Sequence, residues 1–235
     1  MRLPACSGPP RLASPRAIDG LSPGMSHTPC LAPEVTEDFC AFCFQVLLAE
    51  LQDLPPPTWQ VADDTASTKV SGLFVTWKAP GAKLRGCVGT LRPVRLDRGL
   101  ADFALRSSQA DRRFDPVGLE EVPTLTCRVS ILHSFEPCED AYDWEIGVHG
   151  IRINFLVATS PLCPCSQTPF SATFLPEVMV EHGMDHEAAL GRLVKKAGYR
   201  GACDEALIDS LDTTRFQSST KEVPYTDVAN LLVME

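Results

Sequence analysis

Apolar residues recur every three or four positions at Cys40, Cys43, Leu47, Leu51 and Leu54. That spacing predicts an amphipathic helix over 36–53, which Pro55-Pro56-Pro57 ends. Val70 to Trp77 and Lys83 to Leu91 read as two strands, joined at Pro80-Gly81 into a hairpin. A second helix is predicted over 95–110, with Leu96, Leu100, Phe103 and Ser107 on one face. Leu125 to Phe135 alternates through Leu125, Cys127, Val129 and Ile131, as a strand does. Trp144 to Phe155 reads as two short strands around Val148-His149-Gly150. Residues 156–170, with Pro161, Pro164 and Pro169 among Ser and Thr, read as a loop. A helix over 185–197 turns Ala189, Leu190, Leu193, Val194 and Ala197 inward and stops at Gly198. A short helix near 203–211 and a strand near 214–218 complete the pattern. The order does not alternate strand and helix regularly and shows no internal repeat, so the fold class expected is α+β rather than doubly wound.

Residues 1–33 break this pattern. They hold 7 of the 20 prolines with interspersed Gly and Ser, a composition that cannot bury enough apolar surface to fold, and they are expected to be disordered. They carry arginines and a single acid, as transit peptides do, but the prolines oppose the amphipathic helix that organelle targeting by residues 1–24 would need. Met25 is an alternative start. The domain is then expected over 34–230, with a tail at 231–235.

Charge narrows the partners. The net charge is −9. Arg2, Arg11, Arg16 and Asp19 give the first 33 residues +2, leaving −11 for the rest. An acidic body repels a phosphate backbone, so general nucleic-acid binding is not expected, though a local basic patch is compatible with it. No apolar run approaches the length of a membrane span. Ten cysteines in a chain of this size suggest free thiols in a reducing compartment.

Several separated segments resemble one family. Leu84-Arg85-Gly86-Cys87-Val88-Gly89 is close to the signature of AMMECR-one domains, with Val88 where isoleucine is usual. Arg113-Phe114-x-Pro116, Trp144-x-Ile146-Gly147-Val148-His149-Gly150-Ile151, Ala172 to Val178, Leu193 to Tyr199 and Arg215-Phe216-Gln217-Ser218 with Tyr225 follow in order. The resemblance covers roughly residues 36–230. It implies a single α+β domain of two unequal subdomains around a cleft, with an antiparallel or mixed sheet packed with helices. It also implies a signature motif near that cleft, and cytoplasmic or nuclear residence with a protein partner. Between Phe155 and Ser171 the chain departs from the family's short polar linker, through a real insertion or an altered gene model.

Candidate chemistry centres on Cys87. A thiolate nucleophile needs a neighbouring cation, and strand alternation places Arg85 on its face. Gly86 and Gly89 would leave backbone N–H groups open to an anion. The alternative is a small buried thiol packed between glycines. His149 is a candidate base, or a turn histidine bonded to backbone. Glu177 is a candidate acid paired with Arg85 or Arg215. Cys40-x-x-Cys43 could supply half a zinc site with Cys163-x-Cys165 or His182 and His186, but its place on an apolar helix face favours packing. Phosphate-loop, dinucleotide and nucleophile-elbow motifs are absent from the sequence, and no cofactor or metal is predicted. Two functions follow: a regulatory or protein-binding module using the cleft, with Arg85, Gly86, Gly89 and Arg215 as ligand contacts, or a Cys87-centred enzyme with His149 and Glu177 acting on a small anionic or acyl substrate.

Overall fold

The computed structural model describes residues 34–59, 68–158 and 167–231. The expectations for residues 1–33, for Cys163-x-Cys165 and for the last four residues of the tail lie outside these. In chain order the elements are α1 (Glu37–Leu51), β1 (Lys69–Val70), β2 (Gly72–Ala79), β3 (Lys83–Thr90), β4 (Val94–Arg95), α2 (Leu96–Gln109), β5 (Thr126–Pro137), β6 (Gly150–Ala158), β7 (Gln167–Phe174), α3 (Pro176–Glu181), α4 (His186–Lys196), α5 (Glu205–Asp209), β8 (Asp212–Pro224) and α6 (Tyr225–Val228). Six strands form one sheet in the order β3-β2-β5-β8-β6-β7, with antiparallel pairing throughout. The α+β expectation holds, with an antiparallel rather than a mixed sheet.

Two unequal cores share this sheet. The larger packs α1 and α2 over Leu73, Val75 and Trp77 of β2 and Cys127, Val129 and Ile131 of β5. The smaller packs Leu190, Leu193 and Val194 of α4 over Ile151, Ile153 and Phe155 of β6 and Phe174 of β7. A third cluster, Leu132, Leu175 and Phe216 with Phe74 packed against it, links the first turn of α3 to the sheet.

Several expectations change. α1 is buried around most of its circumference, from Phe39 through Ala49, rather than along one stripe. Trp59 folds back after the prolines, edge-on to Phe39 and stacked on Phe42, so the outer side of α1 is covered. Leu54 falls beyond the helix and is exposed. Trp144 to Phe155 is not two strands: 145–149 is a turn, with His149 N–H donating to Glu145 O, and one strand runs on to Ala158. The expected loop of 156–170 is strand at both ends, because Phe170 stacks on Phe155 across the β6–β7 pair. β8 covers 13 residues rather than five. At the end of α4, Gly198 at φ +92° donates to Lys195 O, and Tyr199 N–H to Val194 O, the left-handed stop expected from sequence.

Gly86 decides how α2 meets the sheet. A Cβ built there would lie 1.8 Å from Ser107 O, a backbone atom of α2. Trp77, its ladder partner, donates its indole N–H to Ala104 O at 3.1 Å on the same helix. Gly86→Ala is therefore expected to push α2 off the sheet and cost about 2–3 kcal/mol. Gly191→Ala, in α4 with nothing within 4 Å of its Cβ, is expected to stabilise by about 0.5–1 kcal/mol. Urea denaturation of both variants beside wild type checks the opposite signs.

Candidate functional site

β3 is an edge strand, so alternate residues turn their backbone N–H and C=O away from β2 and need partners. At Cys87 those partners are side chains. Cys87 N–H donates to Asp111 Oδ2 at 3.0 Å, and Cys87 C=O accepts from Arg113 Nη2 at 3.1 Å. Arg113 Nε in turn donates to Asp111 Oδ1 at 2.9 Å. An Asp–Arg pair thus occupies the place of a seventh strand for one residue. The Asp111 side chain is only 7% exposed, and the bonds from Arg113 and from Cys87 N–H outweigh its burial to hold its pKa well below the usual carboxylate range.

The Cys87 side chain points to the sheet face opposite α1 and α2, with Thr76 across the ladder. It is half-buried, and its Sγ accepts from Thr76 Oγ1 at 3.2 Å. Burial pushes the thiol above its ordinary value. The Thr76 bond and Arg113 pull the other way without compensating, and Glu177 and Asp111 add to the rise. The same face continues through Arg128 and Glu222, in register with Thr76. Arg128 bonds Glu222 and lies 3.6 Å from Glu177 and 3.2 Å from Glu181 of α3. Lys78, buried to 9% side-chain exposure, bonds Glu222 at 2.9 Å. Burial pushes the Glu222 carboxyl up, but Lys78 and Arg128 more than offset this and leave it below its ordinary value. A hollow of about 360 Å³ opens here, lined by Arg128, Gly147, Val148, Glu177, Val180, Ser218 and Thr220 among others.

Lys196, at the end of α4, was not singled out from the sequence. Its Nζ donates to Thr173 O at 2.8 Å and sits over the Phe174 ring. Partial enclosure lowers its pKa, Cys87 raises it and Arg113 lowers it further, so this ammonium shares the field of the Cys87 region. The signal was present in the Leu193 to Tyr199 segment, but periodicity assigned Lys196 only to the end of a helix.

The other candidates go elsewhere. The β2–β3 ladder slips here: Trp77 pairs with Gly86 but Lys78 with Leu84, so Arg85 is the extra residue of a bulge and leaves the strand alternation. Its guanidinium bonds Glu121 at 2.9 and 3.0 Å and Asp115 O at 2.8 Å. The guanidinium that acts on Cys87 is that of Arg113, not Arg85. Glu177 pairs with Arg128 rather than with Arg85 or Arg215. Arg215 binds Glu136 and Asp143, tying β8 to β5 and to the turn before β6. His149 Nδ1 accepts from Glu145 N–H at 3.0 Å, and among the described residues no hydrogen bond joins it to Cys87. Since Cys87 bonds outward, Gly86 bonds inward to β2, and its N–H is taken. Gly89 has the outward parity of Cys87, and its missing side chain gives room to Leu73 O and the Phe74 ring. Cys40 and Cys43 are fully buried beside Cys127, whose thiol is pushed up by burial and by both neighbours. His186 bonds Trp144 O at 3.0 Å, and His182 follows α3 as its C-cap.

Asp111 makes acid stability a readout of the edge cap. A carboxylate with a depressed folded-state pKa contributes stability that is fully present above the unfolded value of about 3.9 and is lost as pH falls below it. Asp111→Asn is expected to cost about 2 kcal/mol at pH 7 and to lose less than wild type between pH 5 and pH 3. Chemical denaturation across that range checks both.

The family model described as AMMECR1 matches residues 40–221. An uncharacterized Arabidopsis thaliana protein is 39% identical over 196 residues, covering 81% of this chain and 86% of that protein. An uncharacterized Schizosaccharomyces pombe protein is 33% identical over 183 residues, covering 77% and 89%. The crystal structure of uncharacterized protein PH0010 from Pyrococcus horikoshii shares the fold, with a TM-score of 0.65 at 24% identity, over 80% of this chain and 91% of that one. The family model, which spans most of the chain, and these relatives show that the chain belongs to the AMMECR1 family.

Proposed function

We propose that this AMMECR1-family chain is a regulatory or protein-binding module of the cytoplasm or nucleus, and that its partner docks in the cleft between the Cys87 face of the sheet and α3. The observation that supports this most directly is the state of Cys87. Its thiol is shifted toward the neutral form, and its one hydrogen-bond partner at Sγ among the described residues is the Thr76 hydroxyl. The cleft is lined by ions already matched, Arg128 with Glu177, Glu181 and Glu222, beside the exposed apolar side chains of Val148 and Val180. Fixed ion pairs around exposed apolar groups suit recognition of a protein surface. Among the described residues no helix is long and apolar enough to cross a membrane. The rival, acyl or anion chemistry by Cys87 with His149 and Glu177, needs a thiolate, and the Glu177 charge disfavours one.

Two measurements test this. Peptide-resolved iodoacetamide labelling against pH is expected to show Cys87 reacting with a midpoint above the ~8.5 of a free cysteine; a midpoint well below it overturns the reading. Quantitative affinity isolation with Glu177→Lys is expected to lose partners that wild type retains. Because Glu177 pairs with Arg128, Val180→Glu at the exposed rim of the same cleft is tested beside it and is expected to lose the same partners at unchanged melting temperature. An unchanged partner set removes the cleft as the docking surface.

A further inference from the structure

Two segments of the family pattern, Leu84 to Gly89 and Arg113-Phe114-x-Pro116, meet at a second hollow on the outer side of β3. Its volume is about 460 Å³, and Arg85, Arg112, Arg113, Phe114 and Asp115 line it. Three guanidiniums gather here on a chain whose net charge is −9, and Asp115 on the wall, Asp111 on Arg113 and Glu121 on Arg85 balance them in number. Like charges gathered at one place repel, so the arrangement calls for whatever holds them there and for whatever they face.

Built-in acids hold two of the three. Arg85 is fixed by Glu121 through Nε and Nη2, and by the carbonyls of Asp115 and Pro116. The Glu121 carboxylate is itself held by Gly118 N–H at 3.0 Å. Arg113 is fixed by Asp111 and Cys87 O through Nε and Nη2 and lies over the Phe114 ring. Its Nη1 makes no hydrogen bond among the described residues. Arg112 is exposed and makes no hydrogen bond or ion pair among the described residues. Two guanidiniums are thus anchored at their inner edges by built-in acids, and a third is free to close over the hollow. Anchored planar donors lose little rotamer entropy on binding, and their fork geometry matches an oxyanion.

We propose that this hollow is an oxyanion site that takes the phosphoryl or carboxylate group of a ligand, with Arg113 Nη1 and Arg112 as its donors and the Arg85–Glu121 pair as a fixed wall. Asp115 repels either anion, and the preference comes from the donors: Arg113 Nη1 and the whole Arg112 guanidinium offer more N–H groups than one carboxylate can take, which suits the three oxygens of a phosphoryl group. The proposal rests on the reading of this domain as a binding module and names a ligand chemistry for it, at a surface separate from the Glu177 cleft.

The test is side-chain NMR of arginine Nε–H groups during titration with inorganic phosphate, at ionic strength held constant with chloride. Saturable shifts of Arg85 and Arg113 are expected, with acetate weaker than phosphate. Equal binding of the two would support the site with a carboxylate ligand. Arg112→Ala is expected to weaken phosphate roughly tenfold at unchanged melting temperature, because Arg112 makes no hydrogen bond or ion pair among the described residues. Shifts that stay linear and match those from chloride overturn the proposal, as does wild-type phosphate affinity in Arg112→Glu. Neither result bears on the Glu177→Lys comparison, so the two readings fail separately.

Discussion

The outer edge of β3 has to be satisfied, and the Asp111–Arg113 pair that satisfies it at Cys87 organises everything near the signature strand. A bare edge strand is a template for pairing with another chain. Here one carboxylate takes the N–H and one guanidinium supplies the C=O bond, and the two are themselves bonded. The loop after α2 is thereby stapled to the middle of β3. That staple brings Arg113 within the field of Cys87, sets one wall of the arginine hollow, and fixes where Arg112 and Phe114 emerge.

The staple works only because α2 already lies close to the sheet. Gly86 removes the Cβ that would strike Ser107 O, and the Trp77 indole anchors the same helix turn through Ala104 O. Ser107 and Ser108 return their hydroxyls to carbonyls of their own helix, so the contact zone leaves those hydroxyls satisfied. The glycine of the signature is thus explained on one face by helix approach. The cysteine beside it faces the other way, where a larger side chain would meet Thr76 and the ion pairs beyond. The bulge at Arg85 lets one short segment serve three directions at once: helix, cleft and outer hollow.

Much of the fold was legible because the large core follows simple periods. β2, β5 and α2 show their buried residues at spacings of two or of three to four, and Gly198 announces the stop of α4. What was hidden has identifiable causes. α1 is buried nearly all round because Trp59 covers its outer side, and no periodicity in 37–51 encodes a cover from beyond three prolines. β7 reads as loop because Pro169 and its Ser and Thr neighbours suit an edge strand as well as a turn. The site was legible as residues but not as pairs. Strand alternation placed Arg85 beside Cys87, and a one-residue bulge, invisible in sequence, sent it to Glu121. The guanidinium that does act on the thiol came from the Arg113-Phe114-x-Pro116 segment, whose role no spacing rule connects to a strand 26 residues earlier.

The placement of Cys87 shows why a cysteine flanked by glycines and arginines need not be a reactive one. Lowering a thiol pKa requires that positive charge exceed both desolvation and nearby negative charge. Arg113 is the one guanidinium acting on Cys87, and it is already bonded to Asp111, whose carboxylate cancels much of its field. Glu177 is anchored by Arg128 close enough to act in the same unfavourable sense. Burial then decides the balance in favour of the neutral thiol. Each charge near Cys87 is committed to holding a backbone edge or an element interface, so the polar chemistry left uncommitted lies on the far side of the strand, at Arg112 and the free edge of Arg113.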